Sequence, residues 1–162
     1  MDKGQLRELI QLVLKEYDLY SRDAEEILML TCAAESNMGK YIKQVGGGPA
    51  LGIFQCEPAT LEWMENQVYR HSKFAGVRNA LSPLDRQHEN SLHEEDEINF
   101  ICSLKAQILA CRLVYYFKTP KALPSYKDVQ GMAEYYKKYY NSILGAATVE
   151  GTIAKYNKYV KG

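Results

Sequence analysis

Apolar residues recur along this chain at the spacing of a helix face, and almost nowhere at the alternation of a strand. Leu6, Leu9, Ile10, Val13, Leu14 and Tyr17 fall at i, i+3, i+4, i+7, i+8 and i+11. That spacing places them on one stripe of a first helix. Asp23 followed three residues later by Glu26 resembles a capping box with an acid in place of Ser or Thr. A second helix is therefore expected through Ile27, Leu28, Leu30, Thr31 and Ala34 to about Ser36, closed by Gly39. Pro58 suits the first turn of another helix, where its missing N–H costs nothing, and Leu61, Met64 and Val68 follow on one face. The strongest pattern covers residues 97 to about 116. It is apolar over most of its girth, which predicts one central, buried helix. Pro120 and Pro124 end it, and residues 126–140 and 149–160 read as two more helices.

Two stretches cannot follow this pattern. Val45-Gly46-Gly47-Gly48-Pro49-Ala50-Leu51-Gly52 is a loop of unusual backbone freedom. Residues 73–95 are polar and weakly periodic, and predict a long loop with one short helix. The expected fold is mainly α, a single domain over residues 1–162 with a central buried helix and a Gly-rich loop. The length, 162 residues, suits one domain. No internal repeat or linker interrupts it.

Composition removes several function classes. Lys plus Arg number 20 and Asp plus Glu number 20, so the net charge is zero. The simplest nucleic-acid binder shows a basic excess instead. No apolar run approaches the roughly 20 residues of a membrane span. Cys32, Cys56, Cys102 and Cys111 form no C-x-x-C pair, and three lie in apolar runs. Buried free thiols are expected rather than a zinc or redox site. His88 and His93 are five apart, not the i, i+4 of two ligands on one helix face, so with Glu89 and Glu94 they read as a solvated loop. Neither a metal nor any other cofactor is expected. The glycines at 46 to 48 lack the Lys-Ser/Thr ending of a phosphate loop. Thirteen tyrosines stand against four Phe and one Trp, which suits half-buried core edges and cleft walls. Lys137, Lys138, Lys155, Lys158 and Lys161 make the last third basic and read as solvated helix faces.

One region carries chemistry. Glu35 ends an apolar helical segment. A carboxyl held against apolar neighbours loses solvation of its charged form, and the helix C-terminus adds negative partial charge. Both keep a proton on it, as a general acid requires. The pattern Glu35-Ser36-x-x-Gly39 is followed by Leu51-Gly52-Ile53-Phe54-Gln55-x-x-Pro58-x-Thr60. These paired blocks resemble the lysozyme-like lytic transglycosylases and their goose-type lysozyme relatives. Ile98-Asn99 resembles the family's Asn-containing helix start. Tyr139-Tyr140-Asn141 resembles its Tyr-Asn element, although the small residue and Gly that should follow are displaced by Ser142-Ile143-Leu144-Gly145. Either tyrosine is left as the matching ring.

The resemblance implies a lysozyme-like helical domain that cuts the β-1,4 bond between N-acetylmuramic acid and N-acetylglucosamine in bacterial peptidoglycan. It implies Glu35 as general acid and base. Ser36, Gly52, Ile53, Phe54, Gln55, Tyr140 and Asn141 are the substrate-binding residues it implies, with Tyr140 orienting Glu35 or stabilising charge. No acid lies between Ser36 and Cys56, and Glu57, at a helix start, is the candidate second carboxylate. Glu94-Glu95-Asp96-Glu97 read as the charged first turn of the long helix. The expected partners are peptidoglycan strands, with no nucleic acid and no membrane span, for a monomer. Met1 to Lys15 reads as a charged amphipathic helix, not a signal peptide. A phage or prophage lysin, made in the cytoplasm and released by a holin or a secretion apparatus, fits that expectation. The rivals are a non-catalytic glycan-binding or virion structural protein that keeps the fold, and a glycosidase of chitin or chitosan.

Overall fold

The computed structural model describes residues 1–84, 94–119, 122–141 and 145–162. The protein is all-α. Among the described residues the only bridges of β type are the isolated pairs Lys43–Leu51 and Leu51–Cys56, which pinch the Gly-rich loop.

Helix α1 (Lys3–Glu16) begins at Asp2, whose carboxylate accepts the Gln5 N–H, and buries Leu6, Ile10, Val13 and Leu14. The periodic stripe predicts this face. Helix α2 (Arg22–Ser36) begins earlier than the expected box. Ser21 is the cap, accepting the Ala24 N–H at 3.0 Å. Asp23 instead accepts the Tyr126 N–H at 2.8 Å, tying the chain ahead of the seventh helix to α2. Glu26 turns inward. Arg7 of α1 reaches both Glu25 and Glu26, each only 6% exposed, and Tyr20 and Gln11 complete the shell of Glu25 while Tyr156 binds Glu26. Helix α2 is buried around almost its whole girth.

Helix α3 (Pro58–Arg70) has Pro in its first turn and buries Leu61, Met64 and Val68, as expected. A short 3-10 turn (Ser72–Phe74), helix α4 (Ala75–Arg78) and a second 3-10 turn (Asn79–Leu84) occupy the first part of the expected long loop. His88, Glu89 and His93 lie outside the described residues.

The long helix expected over 97–116 is two helices. Helix α5 (Glu94–Cys102) and helix α6 (Leu104–Lys118) meet at Ser103 with a 95° bend. The Ser103 hydroxyl accepts the Ala106 N–H and so starts α6 as a new helix. Apolar residues continue on both sides of the corner, and their periodicity hides it. Glu94 to Glu97 form the first turn of α5. No single helix among the described residues is long and apolar enough to cross a membrane.

Helix α7 (Val129–Tyr136) starts at Asp128 and runs on into a π-helical turn over Lys137–Asn141. Helix α8 (Val149–Tyr156) starts at Thr148 and ends in a second π turn over Asn157–Lys161. One hydrophobic cluster draws on every helix, with α2 and α6 at its centre and α1, α7 and α8 packed on α2. Cys32, Cys56 and Cys111 are buried free thiols, and Cys102 is exposed. Burial pushes the Cys32 and Cys56 thiols up to about 12, which leaves them unreactive near neutral pH.

Candidate active site

Glu35 sits in the last turn of α2, at the floor of a cleft of about 1070 Å³ that opens between the Gly-rich loop, α7 and α8. A volume of this order accommodates several sugar rings. Three features of the sequence build the place. Asn37 closes α2 in the left-handed region (φ 51°), and Gly39 follows at φ 73°. The chain therefore leaves α2 sharply and returns as the loop. Gly52 has φ 73°, and a Cβ there would stand 2.5 Å from the Gln107 Oε1. Only glycine lets the loop approach α6 so closely. Gln107, 2% exposed, then accepts the Ile53 N–H at 2.8 Å and donates to the carbonyls of Phe100 and Ile101. One amide thereby fastens the loop to the α5–α6 corner.

The motif residues divide into those that hold the loop and those that face the cleft. Ser36 is fully buried, and its hydroxyl donates to the Ile53 carbonyl at 2.6 Å and accepts the Gly39 N–H at 2.8 Å. Ile53 and Phe54 are each 1% exposed, and their side chains belong to the core. Gly52 is buried against Gln107. The side chains of these four shape the loop, which leaves its backbone as the part that the resemblance assigns to the substrate. Gln55 lines the cleft, but its amide donates back to the Gly52 carbonyl at 2.7 Å. Its backbone is left-handed, with φ 47°.

Tyr140 and Asn141 also line the cleft. The Tyr140 hydroxyl donates to the Phe54 carbonyl at 2.9 Å, so this ring braces the loop and does not orient Glu35. The hydroxyl on Glu35 is that of Tyr136, which donates to Oε1 at 2.6 Å. Tyr136 stands outside both motif blocks. Asn141 lies close enough to Glu35 to favour its charged form. The π turn explains the pairing. Its i to i+5 repeat returns Asn141 to the face of Tyr136. Lys155, expected on a solvated face, lines the cleft and donates to the Ala34 carbonyl at 2.5 Å. It follows Thr148, Gly151 and Thr152 along one face of α8, but only the seat of α8 on α2 turns that face to the cleft.

Burial raises the Glu35 carboxyl above the usual carboxylate range. The Tyr136 hydroxyl, the Lys155 ammonium and Asn141 pull it down, and burial prevails. Glu35 thus holds its proton to higher pH than an exposed Glu. Glu57 is exposed at the start of α3, its side chain makes no capping bond, and it lines the same cleft. Glu35 and Glu57 are the acids lining the cleft among the described residues.

Tyr136→Phe removes a donor that favours the charged form of Glu35. The acid should then stay protonated to higher pH. The alkaline limb of any Glu35-dependent reaction should move up by about one pH unit, the scale of a charge-assisted hydrogen bond. A pH–rate profile of the variant checks this, and an unmoved limb would detach Tyr136 from the acid.

Compared with protein-family models, with curated proteins and with solved structures, the chain matches none of them.

Proposed function

We propose that this protein is a glycosidase with a lysozyme-like architecture that cleaves the β-1,4 bond between N-acetylmuramic acid and N-acetylglucosamine in peptidoglycan strands. The observation that carries the reading is Glu35, a carboxyl kept toward its protonated form at the floor of a long open cleft. The resemblance of residues 35–60 to the lytic transglycosylases supplies the substrate class.

In the proposed reaction Glu35 gives its proton to the glycosidic oxygen as the C1–O bond breaks through an oxocarbenium-like state. The Glu35 carboxylate then accepts a proton from the attacking hydroxyl. That hydroxyl belongs either to water or to the 6-position of the same sugar. Water needs a base or a stabilising carboxylate opposite, and Glu57, which lines the same cleft, is the candidate for it. The 6-hydroxyl needs no second carboxylate. Tyr136 holds Glu35 in one orientation through both halves. Gln55 presents its remaining amide atoms to the strand.

Mass spectrometry of the sugars released from purified sacculi tests the reading. Fragments ending in 1,6-anhydromuramic acid are one water lighter than hydrolysis products and would assign transglycosylation. Reducing ends would assign hydrolysis and make Glu57→Gln the next variant. Sacculi left intact by the wild-type protein would sink the glycosidase reading and favour a glycan-binding role. Release from chitin oligomers alone would move the activity to a neutral polymer.

A further inference from the structure

Lys155 is a part-buried ammonium group on the wall of the cleft, and among the described residues it makes no ion pair with a carboxylate. One of its three N–H groups is held by the Ala34 carbonyl. The neighbouring acid, Glu35, is engaged by Tyr136 and held toward its neutral form by burial. A lysine on a helix surface ordinarily extends its head into water. A charge drawn out of water calls for a counter-charge. The other ammonium on the cleft, Lys118, is exposed at the end of α6, where water screens it. Across the cleft the loop offers Gln44 and Gln55, which are neutral, and Glu57, an exposed carboxylate at the start of α3 that forms no ion pair with Lys155. The wall of α8 adds Thr148, Gly151 and Thr152, which are uncharged.

We infer that Lys155 is a carboxylate-recognising residue: its remaining N–H groups receive an acidic substituent of the bound glycan, so the cleft selects a carboxylate-bearing strand over a neutral polymer with the same backbone. The inference rests on the glycosidase reading and narrows its substrate. The carboxylate has two sources in a peptidoglycan strand, the lactyl ether of the muramic sugar and the free carboxylates of the peptide stem. In intact strands the lactyl group is an amide, and only the stem is charged.

The test uses the whole protein and four glycans: strands with intact stems, strands stripped of their stems by an amidase, and each of these after carbodiimide amidation, which removes the charge and keeps the sugars. Wild type is expected to lose about tenfold or more in kcat/KM on amidation, the worth of a charge-assisted hydrogen bond. Lys155→Gln is expected to lose about as much on the untreated strands and nothing further on amidation. Lys155→Arg should keep the preference. Lys158→Gln, an exposed lysine of the same C-terminal segment, should behave as wild type. Preference for stripped strands assigns the lactyl carboxylate, and preference for intact strands assigns the stem. Equal losses for Lys155→Gln on charged and amidated strands would overturn the inference, because Lys155 would then act only through Glu35. So would a wild type indifferent to amidation.

If wild type cuts none of the strands, the same comparison is made by fluorescence-monitored binding. A Lys155-dependent preference for untreated strands would keep this inference while the glycosidase reading fails. No preference would remove both.

Discussion

Glu35→Gln is expected to lower glycan cleavage by ~10²–10⁴-fold, the contribution of a positioned general acid. The substitution removes the transferable proton and keeps the shape, and its amide oxygen still accepts the Tyr136 hydroxyl. The same variant should be no less stable than wild type near neutral pH, and the sign follows from linkage. The folded pKa of Glu35 lies above its unfolded value, since burial raises it. The unfolded chain therefore gives up this proton more readily as pH rises, and the native state is penalised above the carboxylate range. Glutamine carries no such penalty. Its advantage should fade as pH falls through the usual Glu range, where both states of wild type hold the proton. Thermal melts at acidic and neutral pH, run beside the activity assay, separate lost chemistry from lost fold. Retention of activity within threefold of wild type would remove Glu35 from the reaction.

The largest expected effect on stability comes from Arg7→Ala, a loss of about 2–3 kcal/mol, lowering Tm by roughly 5–10 °C. Removing one partner of a buried ion pair costs about 3–5 kcal/mol because the other charge stays behind unpaired. Here the loss falls at or just below the low end of that range, since the Arg7 side chain is 31% exposed. Two carboxylates are left behind, Glu25 and Glu26, side by side at the junction of α1 and α2. Burial pushes Glu26 up, but hydrogen bonds from Arg7 and Tyr156 and the Arg7 charge overcome it and hold the carboxyl below its usual range. A depressed carboxyl stabilises the fold above its unfolded pKa, and that contribution is lost as pH falls through the folded value. Wild type should therefore weaken in acid more steeply than Arg7→Ala. Urea unfolding across the acidic range measures both slopes, and parallel curves would show that Arg7 is not what holds Glu26 charged.

The sequence carried some parts of this fold openly and concealed others. The buried faces of α1 and α3 can be read from Leu6, Ile10, Val13 and Leu14, and from Leu61, Met64 and Val68. Amphipathic helices with one buried stripe advertise their face. The corner at Ser103 is concealed because α6 is apolar nearly all round, so no phase change marks the turn. Asp23 and Glu26 look like caps and hide the cap at Ser21, yet one ties down Tyr126 and the other pairs with Arg7. Both contacts lie far away in the chain and have no local signature. At the site, Glu35 and the cleft residues Gln55, Tyr140 and Asn141 can be picked out from the motif blocks. Tyr136 and Lys155 cannot, since their role depends on a π turn and on the seat of α8 against α2. The motif also ran together two duties. Ser36, Ile53 and Phe54 stand in the same block as Gln55 but are buried, and they act on the loop's shape.

The seat of α7 and α8 on α2 also has a consequence in time. Glu35 and Tyr136 are 101 residues apart in the chain, and Lys155 is 121 residues beyond Ala34. At about 5–20 residues per second, a ribosome takes roughly 5–20 s to pass from the acid to the residues that hold it. During that interval the acid has neither its hydroxyl donor nor a cleft wall. A nascent or C-terminally clipped chain therefore lacks the Tyr136 donor and the Lys155 wall, and the site is complete only when the last two helices dock.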